Sequence, residues 1–213
     1  MTLEELKETY KKKRKEIRAR LAEFEEVGRT ASDEKLFEEL AFCIFTAAAS
    51  ARMGLRSVER VRPRLVNGSR RQIQQALRHA HRWPRARGAL VFDTREYLGG
   101  LCELRLGKLL AGFQDGDERR DFFAANPGVR GLGYKEASHF LRNVGFRGYA
   151  ILDKHVLGRL TEFWVIESPK PPTTERKYLA LEARLKEFAG QIEIDFDELD
   201  LLLWYTKTGE ILK

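Results

Sequence analysis

Two glycines separated by one leucine, Gly131-Leu132-Gly133, stand immediately before a stretch with helical spacing, 134–144. A turn of this kind bares backbone N–H groups. With the positive end of the helix dipole behind them, such donors bind a phosphate without reading sequence. Gly131 and Gly133 are therefore candidate phosphate contacts, although the same turn also serves as a plain connection between helices. Lys135 falls in the first turn of the following helix, where the dipole gives an ammonium no help. An amine is a nucleophile only once it has shed its extra proton. Asp153, eighteen residues further on, precedes another helical stretch in the position of its N-cap. A carboxylate fixed there can face positive charge as it develops on a reacting group.

Charge is unevenly spread. Between Leu55 and Arg87 there are ten arginines (56, 60, 62, 64, 70, 71, 78, 82, 85 and 87) against one acid, Glu59. That stretch alone carries more positive charge than the +7 of the whole chain. A charge run is ordinarily a solvated helix face, but arginine without lysine suits bidentate phosphate contact, and nucleic acid is the favoured partner. The KKKRK run at 11–15 is flanked by glutamates and carries less weight.

The elements that must position these residues are helices. Apolar residues recur at helical spacing in Leu3, Leu6, Tyr10, Ile17, Leu21 and Phe24, and again from Phe37 to Ala48. Shorter helices are expected over 54–66, 69–81, 85–98, 103–112 and 116–125, with Gly54, Pro63, Gly68, Pro84, Gly99 and Gly100 as punctuation. Helices over 134–144, about 154–163, 174–189 and 196–206 complete the chain, the last ending at Gly209. No useful stretch alternates like a strand, so the fold class is all-α. Trp164, closing an apolar helix end, is expected in the core.

Composition excludes several classes of function. Of 213 residues, 43% are hydrophobic and 33% charged, which rules out disorder and fits a soluble helical protein. No apolar stretch approaches the length of a membrane span, and the N-terminus lacks the apolar core of a secretory signal. The expected location is the cytoplasm, in association with the nucleoid. Cys43 and Cys102 are the only cysteines. No disulfide framework or thiolate cluster follows from them, and each reads as a packed thiol. His79, His81, His139 and His155 form no metal-ligand pattern, so no metal site is expected.

The tract from Pro127 to Ala137 extends the glycine turn to V-x-G-L-G-x-K-x-A, which resembles the helix-hairpin-helix of the DNA glycosylase superfamily. The next tract, Ala150-Ile151-Leu152-Asp153-Lys154-His155-Val156, looks like the loop that carries that superfamily's catalytic aspartate. The eighteen-residue separation of Lys135 and Asp153 is that of its bifunctional members. The resemblance implies that Lys135 attacks the sugar C1′, expels the base and holds the sugar as a Schiff base, after which β-elimination nicks the strand. It implies that Asp153 stabilises the positive charge on the sugar and assists deprotonation of Lys135. His139 and His155 are left with structural or phosphate-contacting roles.

The absence of a cysteine cluster removes the iron–sulfur branch. The tract GLGYKEASHFLRNVGFRGYAILDKHVL, with the C-terminal LLLWYTKTGEILK, resembles the short 8-oxoguanine DNA glycosylase/lyases of the second type, from archaea and bacteria. In that family a final lysine reads the flipped base, and Lys213 holds that position here. 8-Oxoguanine differs from guanine by an N7–H donor and a C8 carbonyl, so an acceptor facing N7–H discriminates between them. Trp204 matches the family's aromatic for stacking on the base, and Trp83 a second one, although Pro84 and the spacing depart from the pattern.

The implied architecture is one glycosylase unit over 1–213. Its helical subdomains are 30–145 and 1–29 plus 146–213, with a DNA-binding cleft between them and Asp153 near the hinge. The implied partner is double-stranded DNA containing 8-oxoguanine, bound by a monomer, with no cofactor for the chemistry. The hairpin carbonyls offer a place for a monovalent cation that bridges to phosphate. A glycosylase/lyase for another oxidised base and a non-catalytic DNA-binding module remain open alternatives.

Overall fold

The computed structural model describes residues 1–212, so the base-reading expectation for Lys213 lies outside the described residues. Eleven α-helices and no strand occur among the described residues, in agreement with the all-α expectation. None of these helices is long and apolar enough to cross a membrane.

Local chemistry accounts for most helix starts. Helix α1 (Leu3–Thr30) begins at Thr2, whose hydroxyl accepts from the Glu5 N–H while the Glu5 carboxylate reaches back to the Thr2 N–H. Ser69 caps α4 (Arg70–Ala76) in the same reciprocal manner with Gln72, while the hydroxyls of Ser32 and Ser50 cap α2 (Asp33–Thr46) and α3 (Ala51–Val61) by accepting from the Lys35 and Met53 N–H groups alone. Helix α5 (Pro84–Cys102) opens on a proline, whose missing N–H costs nothing in a first turn. Helices α6 (Leu106–Gly112), α7 (Gly116–Ala125) and α8 (Tyr134–Asn143) follow. The chain ends with α9 (Lys154–Glu162), α10 (Glu175–Ile192) and α11 (Phe196–Thr208).

Two hydrophobic cores organise these elements. In the first, α2 is the central helix; it is buried continuously from Glu39 to Thr46, and α3, α5, α6 and α8 pack around it. Phe37, Phe45, Val61, Phe123 and Phe140 are among its fully buried side chains. The second core joins α1 to α9, α10 and α11 through Ile17, Leu157, Leu185 and Leu202. The chain passes from one core to the other between Tyr149 and Ala150.

Two buried ion pairs cross the seam between the cores. Arg120 on α7 is 0% exposed and donates to the Glu182 carboxylate of α10 at 2.8 Å. The rings of Tyr134, Tyr149 and Tyr178 surround its guanidinium at 5.3–5.8 Å. Arg142 on α8 donates to Asp200 of α11 at 2.9 Å, both side chains being buried.

Several sequence expectations require correction. Gly54 lies inside α3, where a Cβ would come within 2.5 Å of the Thr46 methyl, so it marks the close crossing of α3 over α2. Helix α5 continues through Gly99 and Gly100 to Cys102, because Leu98 is buried in the core on the same helix. The chain reverses instead at Glu103 and Leu104, both at positive φ. Helix α4 ends at Ala76, five residues before the expected limit. Trp164 is not in the core. It is 92% exposed at φ 60, on the turn after α9, and its place is taken by Ile166. Cys43 is buried as expected, whereas Cys102 is only partly so and its thiol donates to the Leu98 carbonyl at 3.2 Å.

Removing one member of a buried ion pair leaves the other charge uncompensated, at a cost of about 3–5 kcal/mol. Arg120→Met leaves Glu182 only the half-exposed Lys186 as a counter-charge and is therefore expected to lower the unfolding free energy by about 3 kcal/mol, the lower end of that range, in urea titrations. Arg29→Ala, at an exposed pair with Glu26 on α1, should leave the midpoint in place.

Candidate active site

A cleft of about 1260 Å³ is walled by elements of both cores. One wall is the turn between α2 and α3 together with the start of α8; the other is the segment entering α9 together with α11.

The hairpin before α8 is fixed by Thr94 of α5. Its hydroxyl accepts from the Arg130 N–H at 2.8 Å and donates to the Arg130 carbonyl at 3.2 Å. Gly131 adopts φ 89, a left-handed conformation suited to glycine, and backs onto Leu90 and Ile44. Gly133 faces the cleft, and its N–H donates to the Glu136 carboxylate at 3.4 Å. Lys135 also faces the cleft, with its side chain 29% exposed and Nζ 2.8 Å from the other Glu136 oxygen.

Asp153 lines the same cleft as the N-cap of α9. Its Oδ1 accepts from the His155 and Val156 N–H groups at 2.8 and 2.9 Å. The segment leading to it is suspended from α10 and α11 through successive backbone amides. Gly148 donates to Asp197 at 2.9 Å, Ala150 to Glu182 at 2.8 Å and Ile151 to Asp200 at 3.0 Å. The Tyr178 hydroxyl donates to the Ala150 carbonyl at 2.6 Å. Glu182 and Asp200 thus serve the seam and the site at once.

Burial acts strongly on this cluster. It pushes the Asp200 carboxyl up to about 7, against the opposing pull of Arg142 and the Ile151 N–H. Burial also raises Asp197 and lowers Arg142. Asp200 is therefore the group poised to titrate near neutrality.

The remaining expected residues divide. Trp204, His139 and His155 line the cleft together with Lys135 and Asp153. Trp83 does not; it lies outside the lining, at the N-terminus of α5, with Arg82 stacked 3.7 Å from its ring. Its backbone N–H donates to Nδ1 of His81, whose Nε2 faces the Phe45 carbonyl at 3.0 Å. That arrangement suits the neutral imidazole that burial favours. Arg52 of α3 pairs with Glu210, tying the 208–212 segment to the cleft mouth, where Leu212 adds to the lining.

The arginine run is more committed than its composition implies. Arg56, Arg82 and Arg87 donate to main-chain carbonyls, and Arg62 and Arg70 pair with Glu38 and Asp93. The carbonyls held by Arg82 and Arg87 belong to Ala48 and Ala47, so these two side chains brace the turn that walls the cleft. Ala48 itself sits at φ 57.

Sequence reasoning missed Glu136, Arg142, Tyr178, Glu182 and Asp200. One signal was available: Tyr178, Glu182, Leu185 and Ala189 share the apolar stripe of α10, so Glu182 is an acid on a core-facing position. A charge placed there needs a partner. Arg142 and Asp200 likewise interrupt continuously buried stretches of α8 and α11.

Comparison with known proteins gives a consistent result. Residues 17–194 match the family described as 8-oxoguanine DNA glycosylase. The 8-oxoguanine DNA glycosylase/AP lyase of Korarchaeum cryptofilum is 38% identical over 198 residues, which cover 92% of this chain and 90% of that protein. That of Thermotoga maritima is 33% identical over 212 residues, covering 99% and 98%. The structure of the Methanocaldococcus jannaschii 8-oxoguanine glycosylase/lyase in complex with 15mer DNA containing 8-oxoguanine matches at a TM-score of 0.88 and 31% identity. It covers 99% of this chain and all of that one.

A carboxyl raised on folding binds its proton more tightly in the folded state than in the unfolded chain. Its effect on stability is favourable at low pH and is lost as pH rises. For Asp200 the decline runs from about 4, the ordinary carboxyl value, to about 7, and is flat above. Urea midpoints measured across that range should show this slope in the wild type, and Asp200→Asn should remove it.

Proposed function

The chain belongs to the 8-oxoguanine DNA glycosylase family, and we propose that it excises 8-oxoguanine from duplex DNA through a Schiff base on Lys135 and nicks the resulting abasic site by β-elimination. The observation that carries this reading is the placement of Lys135 and of the Asp153-capped start of α9 in one cleft, beside the glycine hairpin.

The hairpin offers the α8 dipole, and the N–H groups that Thr94 and Glu136 do not take, to a DNA phosphate, with Gly133 on the cleft side and Gly131 supplying the turn. The damaged nucleotide leaves the base stack and enters the cleft, where Trp204 provides an aromatic face. Trp83, outside the lining, has no such role in this reading. Neutral Lys135 attacks C1′ as the glycosidic bond breaks. Asp153, its orientation fixed by two backbone N–H groups, stabilises the positive charge that grows on the sugar. The resulting Schiff base acidifies the neighbouring sugar carbon, and loss of its proton expels the 3′ phosphate. A main-chain oxygen of Lys213, as the base-reading residue, supplies the acceptor for the N7–H of 8-oxoguanine.

No step of this chemistry calls on a metal. No group of three or more His, Cys, Asp or Glu side chains suited to a metal occurs among the described residues. Of the hairpin carbonyls, Arg130's accepts from Thr94 and Gly133's from the Ala137 N–H. Those of Val129, Gly131 and Leu132 are the groups that would hold a monovalent cation beside the phosphate.

The test is borohydride trapping on a duplex bearing a single 8-oxoguanine. Wild-type protein should give a cross-linked band and Lys135→Gln none. A band with Lys135→Gln would move the nucleophile elsewhere. A wild-type band only on a preformed abasic site would mean a different lesion, and no band on either duplex would leave a DNA-binding module. Asp153→Asn keeps a good cap and removes the charge. It should melt within a few degrees of the wild type while single-turnover excision falls by about 10²–10³-fold. Deleting Lys213 should reduce the preference for 8-oxoguanine and leave trapping on an abasic duplex intact.

A further inference from the structure

The chemistry above needs a group that takes the proton from Lys135, and the Asp153 oxygen that is positioned by the structure already accepts two backbone N–H groups. Resting on the Schiff-base reading, we propose that Glu136 is the proton acceptor for Lys135, with Asp153 left as the fixed charge that stabilises the sugar.

Three observations place Glu136 in that role. Its Oε1 lies 2.8 Å from Lys135 Nζ, and no other ion pair reaches that amine among the described residues. Its Oε2 accepts from the Gly133 N–H at 3.4 Å, which anchors the carboxylate to the hairpin. Its side chain is only 14% exposed and lines the same cleft as Lys135 and Asp153. Consecutive residues of a helix ordinarily diverge. This pair meets because the Lys135 side chain folds back over the first turn of α8, toward a carboxylate at the third helical position. A carboxylate there is favoured by the helix dipole, so its presence stabilises the helix as it serves the lysine.

The proton balance closes. Lys135 passes one proton from Nζ to Glu136, and the neutral amine forms the Nζ–C1′ bond as the C1′–N9 bond breaks. The base departs with the bonding pair and takes a second proton from the now cationic nitrogen. The ring then opens: the nitrogen lone pair forms the C1′=N bond, the C1′–O4′ bond breaks, and O4′ takes the proton held on Glu136. Glu136 is returned as a carboxylate and the Schiff base carries one positive charge, with no outside reagent consumed. The two carboxylates of the cleft thus have separate tasks set by what each already binds.

Glu136→Gln keeps an acceptor for the Gly133 N–H and removes the base. Single-turnover excision of 8-oxoguanine by this variant at neutral pH should fall by about 10²–10³-fold, within the range for loss of a general base. The deficit should shrink as pH rises, because solvent hydroxide takes over the proton. A rate within about threefold of the wild type, or a deficit equal at every pH, would overturn the assignment. Glu136→Ala with added formate supplies an independent measurement: restored excision is expected, and no restoration in a variant that melts like the wild type counts against the role. Lys135→Gln, assayed in parallel, separates the two readings. Trapping that survives Lys135→Gln overturns the nucleophile, whereas trapping lost there but normal in Glu136→Gln overturns only the present proposal.

Discussion

Two arginine–carboxylate pairs buried at the seam, Arg120 with Glu182 and Arg142 with Asp200, are the constraint on which the rest depends. Each takes two charges out of water, a cost that Coulomb attraction repays only where the remaining polar atoms are also satisfied. Here the carboxylates find further partners in the backbone, while Nε of Arg120 and of Arg142 finds none. Glu182 also accepts from Ala150 and Asp200 from Ile151, two consecutive amides of the segment that leads to Asp153. The groups that hold α7 against α10 and α8 against α11 therefore also fix where α9 begins. An apolar seam of equal area would hold the cores together but would leave that segment without its acceptors.

The same economy governs the cleft. The hairpin is clamped by Thr94 and the turn between α2 and α3 by Arg82 and Arg87, so each wall rests on side chains outside the lining or at its margin. Ala48 holds a left-handed conformation without being glycine, which costs on the order of 1 kcal/mol. The guanidinium on its carbonyl helps to hold it there. Preorganisation of this sort is what lets a few polar groups act on a developing charge without first reorganising.

Local signals made much of this visible in the sequence. The helix over 134–144 is observed at Tyr134–Asn143 and that over 154–163 at Lys154–Glu162, because a glycine hairpin and an aspartate cap are short-range devices. Glycine misled where its cause was tertiary: Gly54 permits a helix crossing, and Gly99 and Gly100 are carried through by the packing of their helix. Trp164 misled because an apolar side chain says nothing about which way a terminating turn will aim it. The buried pairs were missed for a different reason. Arg120 and Glu182 are 62 residues apart, and nothing short of the assembled helices brings them together. The arginine run reads in the sequence as a set of phosphate contacts to nucleic acid, and half of it braces the protein itself.

An ionic seam also behaves distinctively on heating. Hydration of charged groups becomes less favourable as temperature rises, so the penalty for keeping Arg120, Glu182, Arg142 and Asp200 dry diminishes. Apolar contacts gain no comparable advantage over the same interval. The joint between the two cores thus strengthens relative to the cores it joins. Warming loosens the helix ends and loops first and leaves the Ala150–Ile151 crossing in register. The start of α9, held through Ala150 and Ile151, is then the part of the cleft best preserved as the working temperature climbs.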